Sequence, residues 1–273
     1  MKKAMQLSFT GLLVVTGAIL LGGCPNPPNP VTTNVGLSVA TLVKTTGLVD
    51  TTHNCNPATP PAPDIQAWWN GLSPNNKLSP FVGFELWRNT TDGCLESRKD
   101  VYRALVTFNM ASVSNLKGLV QKGELIVNTQ ALPSGVGAAS CSAMKGGAGS
   151  LERFGPGAAG TLPTVSGTGS LDRLQPADSF PTGQTVFTFP STTPLVPGSV
   201  AGASSPTTVT ANGSGGLVFN IDVTSQVNAA LNGNAAGMSW MLDGSSEGTL
   251  PGPVAAAVDC KTSYNFQLAV THF

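Results

Sequence analysis

The sequence predicts an all-β chain: an antiparallel β-sandwich of the jelly-roll kind, with one short helix at 222–232 capping an end. Three observations predict it. In "VYRALVTFNM" (101–110), Tyr102, Ala104, Val106, Phe108 and Met110 alternate with Arg103, Thr107 and Asn109, the period-two pattern of a strand with one covered face. About eight stretches of this kind recur along the chain, separated by turn-rich connections. The composition agrees, with 32 Gly, 21 Pro and only 10% charged residues, which suits strands and loops better than a helical enzyme core.

Taken in order, "GFELWR" (83–88) alternates weakly and 101–110 clearly, and "GELIVNT" (123–129) follows after a short turn. "TVFTF" (185–189), "TTVTA" (207–211) and "LVFNI" (217–221) are short apolar or β-branched runs. "GMSWML" puts Met238, Trp240 and Leu242 on one side, and "SYNFQLAVTHF" does the same with Tyr264, Phe266, Leu268 and Val270. Residues 142–205 carry long Gly/Thr/Pro-rich loops with little periodicity; so long a structureless loop is improbable inside a compact domain, and short strands are expected within it.

"NIDVTSQVNAALNG" (220–233) breaks the pattern. Val223, Val227, Ala230 and Leu231 fall on one helical stripe. Asp222 or Thr224 can cap its start, and Gly233 suits a left-handed position after its last turn. Its polar face offers only Gln226, Asn228 and Asn232, so it is expected to close the sandwich rather than to carry chemistry.

The N-terminal "MKKAMQLSFTGLLVVTGAILLGGC" has Lys2 and Lys3, an apolar run over 7–21, and Gly22-Gly23 before Cys24. The run is short for a membrane span and reads as an export signal over 1–23. Leu21-Gly22-Gly23-Cys24 resembles the bacterial lipobox. That likeness implies cleavage before Cys24, lipidation of its thiol with acyl chains such as palmitate, and anchoring at the cell envelope. Pro25 stands where inner-membrane lipoproteins usually carry Asp, which favours the outer membrane in an organism that has one. Residues 24–34, "CPNPPNPVTTN", are expected to form a Pro-rich tether, and 35–273 a single β-sandwich domain.

Without Lys2 and Lys3 the chain carries 12 basic against 14 acidic residues, a formal charge of −2. That balance argues against nucleic acid. Cys55, Cys94, Cys141 and Cys260 remain after Cys24, an even count that in an exported chain implies two disulfides. Of three connectivities, Cys55–Cys94 with Cys141–Cys260 is the one expected. No CxxC occurs and only His53 and His272 could add nitrogen ligands, so no metal site is predicted. No cofactor is predicted; a structural Ca²⁺ would draw on Glu85, Asp92, Glu96, Asp100, Asp243 and Glu247, but no EF-hand spacing is present.

"YRALVTFNMASVSNLKGLVQKGELIV", the later "FNIDVTSQVNAALNGNAAGMSWML" and the closing "YNFQLAVTHF" resemble the DNRLRE-type jelly-roll domain. The matching residues are Arg103, Phe108, Asn109, Leu125, Asp222, Val223, Thr224, Val227, Leu268 and Val270. Asn109 stands where that family often has Asp, and Ala230-Leu231 replaces its usual Trp. The likeness implies a jelly roll without catalysis; some related domains bind carbohydrate.

Two motifs invite other readings. Gly244-Ser245-Ser246-Glu247-Gly248 fits the nucleophile-elbow pattern, but "TLPGPV" follows it, and Pro251 and Pro253 forbid the helix such an elbow needs. Glu85, Asp92, Glu96 and Asp100, or Asp243 and Glu247, could pair as glycosidase carboxylates; solvated loops are the simpler expectation. "DIQAWWNG" (64–71) brings Trp68 and Trp69 together, and flat indole faces stack on sugar rings. The alternative is that both pack onto the sandwich. The sequence thus predicts a lipid-anchored, non-enzymatic envelope protein that acts as a structural or interaction module. Its partners are the membrane through Cys24 and a glycan or envelope protein. A carbohydrate-binding surface module using Trp68 and Trp69 is the alternative, and a polysaccharide hydrolase or lyase a third reading.

Overall fold

The computed structural model describes residues 28–49, 65–89, 96–129, 148–158, 160–165, 167–174, 178–189, 198–201, 206–211, 216–244, 247 and 258–273. Cys24, Cys55, Cys94, Cys141, Asp92, Ser245 and Ser246 lie outside them, as does the signal segment.

The strands are β1 (Val31–Val35), β2 (Leu37–Val49), β3 (Phe81–Asn89), β4 (Glu96–Asn109), β5 (Val120–Thr129), β6 (Ala148–Phe154) and β7 (Ser170–Leu174). They continue with β8 (Gln184–Thr188), β9 (Gly198–Ala201), β10 (Pro206–Ala211), β11 (Leu217–Asp222), β12 (Gly237–Gly244), β13 (Val258–Asp259) and β14 (Thr262–His272). Helices α1 (Ile65–Gly71), α2 (Pro74–Leu78) and α3 (Thr224–Asn232) are short, and a 3₁₀ segment spans Met110–Leu116.

The strands form a curled, antiparallel sheet folded into two layers. One layer runs β1-β14-β5-β11-β10-β9. In the other, β2 pairs along all of β4, whose second edge is shared by β3 in its first half and β12 in its second. β12 continues to β6 and β8, while β7 lies parallel to β2. Val82↔Thr262 ties β3 to β14 and joins the layers.

The alternation seen in the sequence becomes the core. Ala104, Val106 and Phe108 of β4, Trp240 and Leu242 of β12, Leu125 and Val127 of β5, and Leu268 and Val270 of β14 are all buried in one cluster. Burying each of the Val, Leu and Phe side chains among them contributes about 1.5–3 kcal/mol. Phe108 meets Trp240 edge-on at 5.4 Å, and Phe189 meets Phe219 at 4.8 Å, arrangements that aromatic quadrupoles favour. The second layer is covered on its other face as well, where Ala40, Leu42, Leu105, Phe154 and Met241 pack with Val165 and Phe180.

Helix α3 closes one end, with Val227, Ala230 and Leu231 buried. It starts at Thr224, two residues after the expected 222. Asp222 Oδ1 accepts from both the backbone N–H of Thr224, at 2.9 Å, and its hydroxyl, at 2.7 Å. The Thr224 hydroxyl oxygen in turn accepts from Gly123 N–H at 2.9 Å, so Asp-Val-Thr staples helix to strand β5. Gly233 does not take the expected left-handed conformation: its φ is −79°, and Asn234 turns the chain at φ 51°. Helices α1 and α2, beyond the one helix expected, sit by the opposite end, where α2 leads into β3 and Val82 pairs with Thr262.

One boundary shifts. Pairing begins at Val31, inside the segment assigned to a tether, because Thr32, Thr33 and Asn34 have a ready edge on β14. Within 142–205, β6, β7, β8 and β9 supply the short strands expected there. Among the described residues, no helix is long and apolar enough to cross a membrane.

Candidate functional site

Register places Asp259 opposite Glu85, Glu85 opposite Asp100, and Asp100 opposite Thr45, across β13, β3, β4 and β2. Directly paired residues share a face of the sheet, so three carboxylates stand in one row. Glu85 and Asp100 were grouped from sequence alone. Asp259 was not, because its contribution comes from a two-residue strand 159 positions beyond Asp100.

Like charges placed opposite each other repel, and each of these has a partner. Lys261 Nζ donates to Glu85 Oε2 at 2.9 Å and to Asp259 Oδ2 at 2.6 Å. Tyr102 donates its hydroxyl proton to Glu85 Oε2 at 3.1 Å, and Thr45 donates to Asp100 Oδ1 at 2.7 Å. Burial, reinforced by the carboxylates of Glu85 and Asp100, pushes the Tyr102 phenol up from its ordinary range. It therefore remains a donor throughout physiological pH.

The two tryptophans of α1 separate here. Trp69 is 3% exposed and donates its indole N–H to the Gly169 carbonyl at 3.1 Å. Burial leaves it no face for stacking on a ligand. Trp68 is partly buried against Val43, Tyr102, Phe81 and Leu171. Lys261 Nζ lies 5.5 Å from its ring centre, close enough for a cation–π attraction of about 0.5–1 kcal/mol. The side chains around Trp68 thus combine an indole, a phenol, an ammonium and the Glu85 carboxylate, the groups with which sugar hydroxyls are usually met.

A second ionic group links β4 to Glu247, just beyond β12. Arg103 grips Glu247 through Nε at 3.1 and 2.9 Å and through Nη2 at 2.7 Å. Its guanidinium lies 4.2 Å from the Phe180 ring centre. Glu247 Oε1 also accepts from Gly244 N–H at 2.7 Å, and its carbonyl accepts from Lys99. Asp243 accepts from Ser150 N–H. Burial raises the Asp243 carboxyl from 3.8 to about 6 against that bond; Glu247 and Glu152 add to the rise and Arg103 opposes it. An acid near 6 has a general acid's poise, but its neighbours form an ion pair closed on itself.

No family model, curated protein or solved structure matches this chain. Its site must be read from its own residues. Of the nucleophile-elbow pattern only Gly244 and Glu247 are among the described residues, and Glu247 is tied to Arg103. His272 is far from Gly244: Gly244 lies beside Gly83, next to the Val82↔Thr262 pair, and from Thr262 to His272 β14 extends about 35 Å at roughly 3.4 Å per residue. His272 instead hydrogen-bonds Thr33 through Nε2 at 3.0 Å. Among the described residues, no group of three or more His, Cys, Asp or Glu is placed to hold a metal ion. Cys260 is fully buried beside β3, its N–H donating to the Phe84 carbonyl at 2.9 Å; its expected partner lies outside the described residues.

Proposed function

We propose that this chain is a lipid-anchored, disulfide-stapled module of a bacterial envelope, with a structural or interaction role and no catalytic one. One observation carries the non-catalytic part. Four of the six carboxylates that the sequence offered for hydrolysis are described with their side chains, and each already receives hydrogen bonds from the chain itself: Glu85 from Lys261 and Tyr102, Asp100 from Thr45, Glu247 from Arg103 and Gly244, Asp243 from Ser150. Glycoside hydrolysis needs a free carboxylate beside a protonated one, both open to the sugar. The anchoring part rests on the lipobox-like Leu21-Gly22-Gly23-Cys24, and the jelly-roll likeness supports the kind of module.

The test is the mass of the mature protein recovered from membranes of a bacterial host. Cleavage before Cys24 with added acyl chains is expected, and both are lost in Cys24→Ala. An unmodified mature chain released in soluble form would overturn the reading. The same mass spectra, after peptide digestion without reduction, report the expected Cys55–Cys94 and Cys141–Cys260 bridges.

Glycan binding is the second reading, favoured by the partly open Trp68 with Lys261 and Glu85 around it. Glycan-array binding that disappears in Trp68→Ala but survives Lys122→Ala would support it.

A further inference from the structure

The described residues include five large apolar side chains that are conspicuously exposed, and three of them converge on one rim. Val31 (55% exposed), Leu119 (45%) and Phe273 (51%) belong to this set, with Leu78 and Leu162 elsewhere. Val31 pairs with His272, and His272 pairs with Val120. Leu119 directly precedes Val120 and Phe273 directly follows His272, so the three lie within one residue of a single cross-strand row over β1, β14 and β5.

Single apolar residues on a surface need no account; three gathered at one end of a sheet, on both of its faces, give that end an apolar edge. Lys117 and Lys122 stand beside the rim. Lys122 pairs with Glu124 at 2.7 Å, and Lys117 reaches the Asn232 carbonyl at 3.3 Å.

Which occupant covers this rim follows from chain length. Six residues lie between Cys24 and Val31, and over those seven steps covalent geometry limits the reach to about 25 Å. Strand β14 alone runs about 35 Å from Thr262 to His272. A lipid-anchored Cys24 therefore leashes the Val31 corner close to the bilayer, while α2 at the far end has no such constraint. A short leash raises the effective concentration of nearby surface at the membrane. Apolar side chains with flanking lysines are what enters the headgroup region.

We infer that the rim formed by Val31, Leu119 and Phe273 rests in the headgroup layer of the anchoring bilayer, so that the sandwich stands with α1 and α2 pointing away from the membrane. This rests on the proposed lipidation of Cys24 and adds an orientation to it. The aromatic and acidic surroundings of Trp68 then face outward, toward whatever partner the envelope offers.

The test uses the full lipidated chain in vesicles of phosphatidylcholine with one quarter phosphatidylglycerol, with and without bromine on the acyl chains. Phe273→Trp places a fluorophore on the rim and Leu78→Trp places one on α2. Bromolipids are expected to quench at least half of the emission that Phe273→Trp adds over wild type, and less than a tenth of that added by Leu78→Trp. Equal quenching of both, or of neither, would overturn the orientation. Sedimentation of Cys24→Ala as a dimer that Phe273→Glu dissociates would assign the rim to a second copy and overturn it too. A mature chain whose mass lacks acyl groups would remove the anchoring reading, and this orientation with it.

Discussion

Arg103 and Glu247, 144 residues apart, are joined by three hydrogen bonds of 2.7–3.1 Å, and their side chains are 18% and 13% exposed. This ion pair fixes Glu247, just beyond β12, to the middle of β4. Removing one partner strands the other in a largely buried place, where an uncompensated charge costs several kcal/mol. Discounted for the remaining exposure, Glu247→Ala is expected to destabilise by about 2 kcal/mol, read from the urea midpoint. The double variant Arg103→Met/Glu247→Ala should recover part of that loss. An additive double variant would mean that the two side chains are not coupled.

Next to that pair, Asp243 makes stability depend on pH. Its carboxyl is raised from 3.8 to about 6 in the folded state, chiefly by burial. Between those values the folded chain binds more protons than the unfolded one, so stability falls as pH rises from about 4 to 6. After discounting for solvent screening, the loss is about 1–2 kcal/mol. Glu247 and Glu152 add to the effect and Arg103 opposes it. Asp243→Asn keeps the acceptor for Ser150 N–H and cannot ionise. It is expected to flatten the slope and to be more stable than wild type at pH 7.5, as measured by urea unfolding at pH 4.5, 6 and 7.5.

The two tryptophans of α1 should part company under substitution. Trp69 is buried and hydrogen-bonded to Gly169, so Trp69→Ala should cost about 3–5 kcal/mol and Trp69→Phe about 1 kcal/mol for the lost N–H bond. Trp68→Ala should cost less, because its ring is partly solvated. Thermal unfolding of the three variants checks the order. A Trp69→Ala chain as stable as Trp68→Ala would contradict the burial described above.

These outcomes also mark where sequence reasoning worked. Strands β4 and β14 were legible because each has one face on the core and one facing polar surroundings for part of its length, which writes the period of two into the residues. Strand β2 was missed for the opposite reason. Val39, Ala40, Thr41, Leu42 and Val43 are all buried, so no alternation survives, and the prolines upstream drew β1 into a tether. The 142–205 region gave no periodic signal because β6, β7 and β9 are short and carry Gly or Ser within them. The Asp259–Glu85–Asp100 row could be only partly foreseen. Glu85 and Asp100 are near in sequence, but Asp259 joins them solely through register.

The close approach of β3 to the start of β14 gives the last prediction. Gly83 has φ +121°, and a Cβ there would land on the carbonyl oxygen of Cys260. Any L side chain meets both a left-handed backbone and a backbone clash, which no rotamer can relieve. Gly83→Ala is expected to destabilise by about 2–4 kcal/mol and to loosen the hydrogen bond from Cys260 N–H to Phe84. Gly233→Ala is the control. Its φ of −79° is ordinary, and the Ala229 carbonyl oxygen would stand 3.3 Å from the new Cβ, a tight contact that a shift of a few tenths of an ångström relieves, so it should cost no more than about 1 kcal/mol. Urea midpoints decide between them. If both glycines tolerate alanine equally, β3 does not approach Cys260 as closely as this packing requires, and the junction of the two layers at Val82 and Thr262 must be looser.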